Sequence, residues 1–355
     1  MLRFRSLVAV SVAGFVIAGC SSSSPSGPHT TPFLKGQIGL VVNSTGRALT
    51  MFQLAAPKNT EVIALGASAT VTPVGFSLKG TTAIVPLGDA ASTAVINLKT
   101  ATITRYFVFS SGNATGQAFV DDTTVILANA TSNYVGRVTL DQAADAITDT
   151  AMVAQSPTDI QVANGNAYVI SAVLNAQGSP TGVGAVTKLN GQTLAVLATA
   201  QTTDSNSSAA AIGPDGRLYV VNTGTFVNQS TVTVMDTATL AVINTYQGFG
   251  IGAGAITIDA AGLAYISSFF SGTVIWNTVT HTFVRSNTNA LCVTVGGNCL
   301  GAFGAATDAA GDVYQTFFGT QAQAPYVYVY GHGSYAVTDS IAVGQGPTQI
   351  RIATF

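Results

Sequence analysis

One hairpin pattern recurs along this chain, and no other feature of the sequence restricts its fold so tightly. The clearest unit runs from Ala210 to Tyr246, AAIGPDGRLYVVNTG and then TVTVMDTATLAVINTY. Val and Thr alternate there with period two, the strand period, and Pro214-Asp215-Gly216 is a turn whose glycine can take a positive φ. Related first hairpins begin at Gly254 (GAITIDAAGLAYISS), Gly304 (GAATDAAGDVYQTF) and Pro157 (PTDIQVANGNAYVIS), with fainter copies at Pro73 and Gln117. Anchored on the first bulky residue of each second strand, the series is Leu40, Ile84, Val125, Tyr168, Tyr219, Tyr265 and Tyr314, spaced by 44, 41, 43, 51, 46 and 49 residues. These are seven units of four-strand size, close to the roughly 40 to 45 residues of a propeller blade. The second hairpin recurs as well, in VINLKTATI from Val95, VTVMDTATL from Val232 and VIWNTVTHTF from Val274.

The chain ends indicate how such a ring closes. GPTQIRIATF from Gly346 matches SPTDIQVA from Ser156, a first strand, whereas QIGLVVNS from Gln37 reads as a second strand. The C-terminal strand is therefore expected innermost in the first blade, which removes the bare sheet edge of an open ring. Composition agrees with an all-β chain. Glutamate occurs once, at Glu61, and lysine five times, so the usual helix formers of exposed faces are scarce. The expected fold is an all-β, seven-bladed β-propeller of four-stranded antiparallel blades. The alternatives are a parallel β-helix or a pair of β-sandwiches. YVVNTG followed by TVTVMDTATLAVINTY resembles the YVTN-type propeller repeat, a relative of the NHL repeat of exported bacterial proteins. The resemblance is specific in that unit and fold-level around the ring. A WD40 reading is disfavoured, because Trp276 is the single tryptophan.

The first residues carry a second resemblance. Arg3 and Arg5 precede an apolar run from Leu7 to Ile17 that ends in Ile17-Ala18-Gly19-Cys20. The run is about half the roughly 20 residues a membrane span needs. It resembles a bacterial lipoprotein signal peptide with its lipobox. That resemblance implies residues 1–19 as leader, lipidation of Cys20, residues 20–32 as a Ser/Pro/Gly tether and residues 33–355 as the propeller domain. It also implies a membrane partner through the lipid anchor and a location in the bacterial cell envelope. With Ser21 rather than Asp after the cysteine, the outer membrane is implied if the host is Gram-negative. In an exported chain the two remaining cysteines, Cys292 and Cys299, read as a disulfide, with two free thiols as the alternative.

Catalytic chemistry is not legible. The three histidines are His29 in the tether and His281 and His332 at expected outer turns, so no base is evident for a Ser-His-Asp arrangement. Asp215, Asp259, Asp308 and Asp312 fall in or near first-hairpin turns, where aspartate bonds local N–H groups. Asp141, Asp145 and Asp149 cross a hairpin turn. Asp89, Asp159 and Asp204 are weak metal candidates near loops that could reach the channel mouth, and no cofactor is expected. The 13 Lys+Arg against 15 Asp+Glu supply no basic field for nucleic acid.

The remaining signal is the content of two loop families that share one face, those between blades and those between second and third strands. Asn222, Phe226 and Asn228, with Thr225 and Gln229, fall in one loop; Phe269 and Phe270 in another; Phe317 and Phe318, with Gln321 and Gln323, in a third; and Asn129, Asn133 and Tyr134 in a fourth. Rings beside amides suit sugars, peptides or protein partners. The expected function is an envelope-anchored binding or scaffold module for a protein, peptide or glycan. The alternative is a metal-assisted lactonase- or lyase-like enzyme with carboxylates gathered in the channel.

Overall fold

Strands built from alternating Val, Thr, Ala and Tyr need both faces covered, and the chain covers them by packing seven similar sheets side by side. In the computed structural model, which describes residues 33–320 and 323–355, every regular element is a strand. The strands form seven four-stranded antiparallel sheets and one two-stranded hairpin, so the fold is the seven-bladed β-propeller. Residues 1–32, with Cys20 and the tether, lie outside the described residues, as does Gln321.

The ring closes as the ends of the sequence indicate. Blade 1 is ordered Ala56–Ala64, Ala48–Gln53, Gln37–Asn43 and, innermost, Pro347–Thr354. The closing strand pairs antiparallel in the register Gln37↔Thr354, Leu40↔Arg351 and Val41↔Ile350. Ile350 then packs with Val41, Phe52, Tyr314 and Val327 in the core between blades 7 and 1. Blades 2 to 7 are consecutive. Their inner strands are Ser77–Lys79, Ala114–Phe119, Pro157–Ala163, Ser207–Ile212, Ala253–Ile258 and Gly304–Thr307. Each expected anchor, from Leu40 to Tyr314, sits in a second strand.

Two turn types repeat. In the first hairpins an aspartate caps the turn: Asp259 Oδ1 accepts the N–H groups of Ala261 and Leu263, each at 2.9 Å. Asp308 Oδ1 does the same for Ala310 and Asp312, each at 2.9 Å. The remaining carboxylate oxygen takes a tyrosine hydroxyl from the second strand, Tyr219 to Asp215 at 2.8 Å, Tyr265 to Asp259 at 3.2 Å and Tyr314 to Asp308 at 3.3 Å. Burial first, then the neighbouring carboxylate, pushes the pKa of all three phenols upward. In the second hairpins an Asn or Asp binds the turn, as Asp236 Oδ1 does for the N–H groups of Ala238 and Thr239 at 2.9 and 2.7 Å. Four residues after that position the backbone turns left-handed, at Ala101, Leu194, Leu240 and His281, and the ladder slips by one residue beside it. A left-handed residue followed by a bulge lets a short loop join strands that already twist.

Hydroxyls stitch neighbouring blades near the channel. Ser77 donates to the Gln117 carbonyl at 2.8 Å, Thr115 to Pro157 at 2.8 Å, Thr158 to Ser207 at 3.1 Å, Thr223 to Ala253 at 2.7 Å and Thr316 to Thr348 at 2.8 Å. A threonine-rich composition thus satisfies inner-strand carbonyls that have no sheet partner on the channel side.

Candidate functional site

The inter-blade and second-to-third-strand loops meet on one face, and on blades 5 to 7 they bring phenylalanines into an arc. Phe226 and Phe270 flank Gly252: a Cβ at that glycine would lie 3.3 Å from one ring and 3.1 Å from the other. Phe270 stands edge-on to Phe269 at 4.7 Å between centroids, Phe269 to Phe303 at 4.9 Å, and Phe303 lies 4.8 Å from Phe318. Phe226, Phe269 and Phe270 are 54%, 47% and 54% exposed. Three large apolar residues left this open side by side are a contact surface in the physical sense, because isolated exposed residues are ordinary and clustered ones are not.

The connection between blades 6 and 7 supplies Phe303, which sequence reasoning missed. Cys292 and Cys299 are joined by a disulfide in this segment, and the short hairpin of Thr294–Val295 with Asn298–Cys299 lies inside it. Its end is held by Ala302 N–H on the Ser268 carbonyl at 2.9 Å. Gly301 permits the approach, since a Cβ there would overlap the Phe269 carbonyl oxygen at 1.6 Å. A cleft of about 280 Å³ lies against the arc, lined by Phe226, Phe269, Phe303, Asn206 and Thr223 among others.

The other expected face residues separate from the arc. Asn222 is fully buried and uses its amide within blade 5, accepting from Ser207 Oγ at 2.7 Å and donating to Thr231 and Thr233 hydroxyls at 3.1 and 2.8 Å. Phe317 is buried in its strand against Tyr328. Asn228 is exposed in the Phe226 loop. In blade 3, Asn129 is buried and bonds Ser111 and Tyr134, while Asn133 Oδ1 accepts the Ser156 N–H at 2.8 Å.

Behind the face, the central channel has a volume of about 880 Å³ and is lined by the inner strand of every blade. Asp159 and Arg351 are its central charges. Channel solvent reaches both, yet the inner strands surround them, so burial raises the Asp159 pKa and lowers that of Arg351 despite their mutual attraction. Asp159 is well satisfied: its oxygens accept the N–H groups of Ile160 at 2.8 Å and Ala210 at 2.9 Å, and Gln161 Nε2 at 3.0 Å.

Asp89 and Asp204 stand outside the channel lining. Asp89 accepts from Asn113 Nδ2, and Asp204 accepts from Ser205 N–H and the Thr231 hydroxyl. Asp145 and Asp149 pair with Arg105 at 2.5 Å and Arg137 at 2.7 Å. Among the described residues, no three His, Cys, Asp or Glu side chains come together as metal ligands. His281 packs beside Trp276 and Tyr246 on the outer side of blades 5 and 6.

Comparison with known proteins gives the fold. No family model and no curated protein matches the sequence. Among solved structures, the chain is similar to hydrazine synthase of Kuenenia stuttgartiensis (TM-score 0.65, 14% identity, 81% of this chain and 91% of that one). It is also similar to a functionally unknown protein from Desulfotomaculum acetoxidans DSM 771 (TM-score 0.66, 13% identity, 89% and 99%). A third likeness is the β-propeller domain of Myceliophteria thermophila Cps50 (Swd1) (TM-score 0.60, 12% identity, 81% and 91%). At these identities the likeness carries the architecture, which hosts many unrelated activities.

Proposed function

We propose that this protein is an envelope lipoprotein, anchored through Cys20, whose YVTN/NHL-like propeller acts as a binding or scaffold module for a protein, peptide or glycan. The observation that carries the reading is the arc of Phe226, Phe270, Phe269, Phe303 and Phe318 beside a cleft at the channel mouth. Rings held by a disulfide-closed connection and tight loops lose little freedom on binding and offer large apolar area, the properties that make aromatic anchors effective. Asn206 and Asn228 supply polar groups at its edge.

Two measurements test this reading separately. Intact mass and membrane partitioning of the native protein beside Cys20→Ala test the anchor; an acylated mass lost in the variant supports it, and a soluble unacylated native product overturns it. Glycan and peptide arrays probed with wild type and with a Phe226→Ser/Phe269→Ser/Phe270→Ser variant test the surface. Binding that falls at least roughly tenfold, about 1.4 kcal/mol, supports the arc. Unchanged binding by a folded variant contradicts it.

A further inference from the structure

Asp159 performs a task in blades 4 and 5 that no side chain performs in blade 6. It accepts the channel-facing N–H groups of Ile160 and Ala210 at 2.8 and 2.9 Å, and so caps the inner edges of both blades. Register against Tyr168, Tyr219 and Tyr265 of the second strands puts Ala209 of blade 5 and Ala255 of blade 6 where blade 4 has Asp159. In blade 6 the Asp259 N–H bonds the Leu263 carbonyl at 3.0 Å, which fixes the phase of the ladder. Residues 255 and 257 face the second strand, and Ile256 and Ile258 turn their N–H and C=O groups to the channel. Neither alanine carries an acceptor, so among the described residues the edge of blade 6 is uncapped at Ile256.

That edge opens onto the aromatic cleft. Ser208, Gly254 and Phe303 line both the channel and the cleft. Gly254 stands two residues before Ile256, and a Cβ there would meet no atom within 4 Å, so the junction of the two spaces is clear. Phe226, in the cleft wall, has a φ of 63°, a left-handed conformation that an aromatic residue holds only at a cost. Its loop is pinned by the Thr223 N–H on the Asn206 carbonyl at 2.9 Å and the Ser230 N–H on the Gly250 carbonyl at 2.7 Å. The lining selects the occupant. None of the residues lining the cleft is charged. Its hydroxyls are engaged within the protein: Thr223 bonds the Ala253 carbonyl at 2.7 Å and lies 2.9 Å from Ser208 Oγ, and Ser267 lies 3.0 Å from Thr273 Oγ1. A charged group there would lose hydration without a counter-ion, and a sugar ring would lose it at hydroxyls that find few partners. An apolar side chain loses neither.

We propose that the cleft is a pocket for one bulky apolar side chain of an uncharged peptide segment, whose main chain pairs with the open edge of blade 6 at Ile256. This deepens the binding role proposed above and rests on it, because Phe226, Phe269 and Phe303 of the pocket wall belong to the arc. Main-chain bonds to an exposed sheet edge give such complexes affinity, and a pocket beside the edge adds selection for one side chain. Asp159 closes the same edge in blades 4 and 5, which leaves blade 6, the blade beside the cleft, to receive the segment.

The test is calorimetric titration of the full-length protein with end-blocked pentapeptides, glycine at the outer positions and Phe, Leu, Ser, Glu or Lys at the centre, and with maltohexaose as a neutral glycan. The Phe and Leu peptides should bind saturably, and the other peptides and maltohexaose at least roughly tenfold more weakly. N-methylation of the residues flanking Phe, which removes main-chain donors, should cost a similar factor. Gly254→Leu, which fills the junction, should weaken the Phe peptide by roughly tenfold or more while keeping the native melting transition. The peptide series decides the matter if this variant does not fold. No saturable binding of the Phe and Leu peptides, equal binding of all five, or tighter binding of maltohexaose would overturn the proposal. So would undiminished binding after N-methylation or by folded Gly254→Leu. Wild-type self-association that Gly254→Leu abolishes would assign the cleft to a second copy and overturn it as well. Array binding lost in the Phe226/Phe269/Phe270 variant yet untouched by Gly254→Leu would remove the pocket and leave the arc standing. Array binding kept by that Phe variant would remove the arc itself, and the pocket with it.

Discussion

The inner strands of blades 1 and 4 begin with the same Pro-Thr, carry a buried isoleucine at the same place and reach into the next blade with the residue before it. They differ in how they arrive and in what charge they bring. The blade 4 strand is continuous with its own blade; the blade 1 strand comes from the opposite end of the chain. Blade 4 places an acid beside an amide that donates to it, whereas blade 1 places an amide beside a cation that lies over the Phe76 ring and opens to the channel. Shared backbone geometry thus fixes where a side chain stands in the channel, and exchange of one or two residues decides which charge it presents there.

The largest expected effect breaks the comparison at closure. A chain ending at Gly346 lacks the innermost strand of blade 1 and bares both the Gln37–Asn43 edge and the core around Val41 and Phe52. Loss of cooperative unfolding, followed by circular dichroism, together with aggregation is the expected outcome. A soluble truncated protein with a native melting transition would show that the terminal strand is dispensable. Next come the matched isoleucines. Ile350 and Ile160 are each 2% exposed, so Ile350→Ala and Ile160→Ala should each cost about 2–4 kcal/mol in denaturant titrations. A much smaller loss at Ile350 would mean that the closing strand is held less firmly than an internal one.

The turn residues show how much of this was legible in advance. Val/Thr alternation and the Asp-Gly turns marked the hairpins, because period and turn chemistry are local. The match between GPTQIRIATF and SPTDIQVA revealed closure, because equivalent strands must meet equivalent neighbours. Phe226, Phe269 and Phe270 could be placed on one face from loop order alone. Asn222 and Phe317 could not be told from surface residues, since each sits at a strand end where burial depends on packing from the next blade. Phe303 escaped notice because its connection matches no other blade. The setting of Arg351 was also hidden: it depends on Phe76, which is distant in sequence, and on Asp159 in the equivalent strand.

A smaller effect concerns pH. Burial raises the pKa of Asp159 in the folded state, so its contribution to stability is fully present below its unfolded pKa and is lost as pH rises through the higher folded value. Asp159→Asn lacks this dependence. The stability of the variant relative to wild type should therefore increase with pH across that window and then level off, as measured by chemical denaturation at a series of pH values. A difference independent of pH would show that Asp159 titrates normally.

The most direct test of the contrast between Asp159-Gln161 in blade 4 and Gln349-Arg351 in blade 1 is the melting temperature of Gln349→Glu in low-salt buffer. Arg351 is open to the channel and stands two residues from position 349 on the same strand, so a carboxylate there that keeps the acceptor for the Phe76 N–H should stabilise the ring by up to about 1 kcal/mol, a rise on the order of 2 °C. The gain should disappear in acid as the new carboxylate is protonated. A melting temperature equal to or below that of wild type at neutral pH would contradict the claim that Arg351 makes no direct ion pair among the described residues.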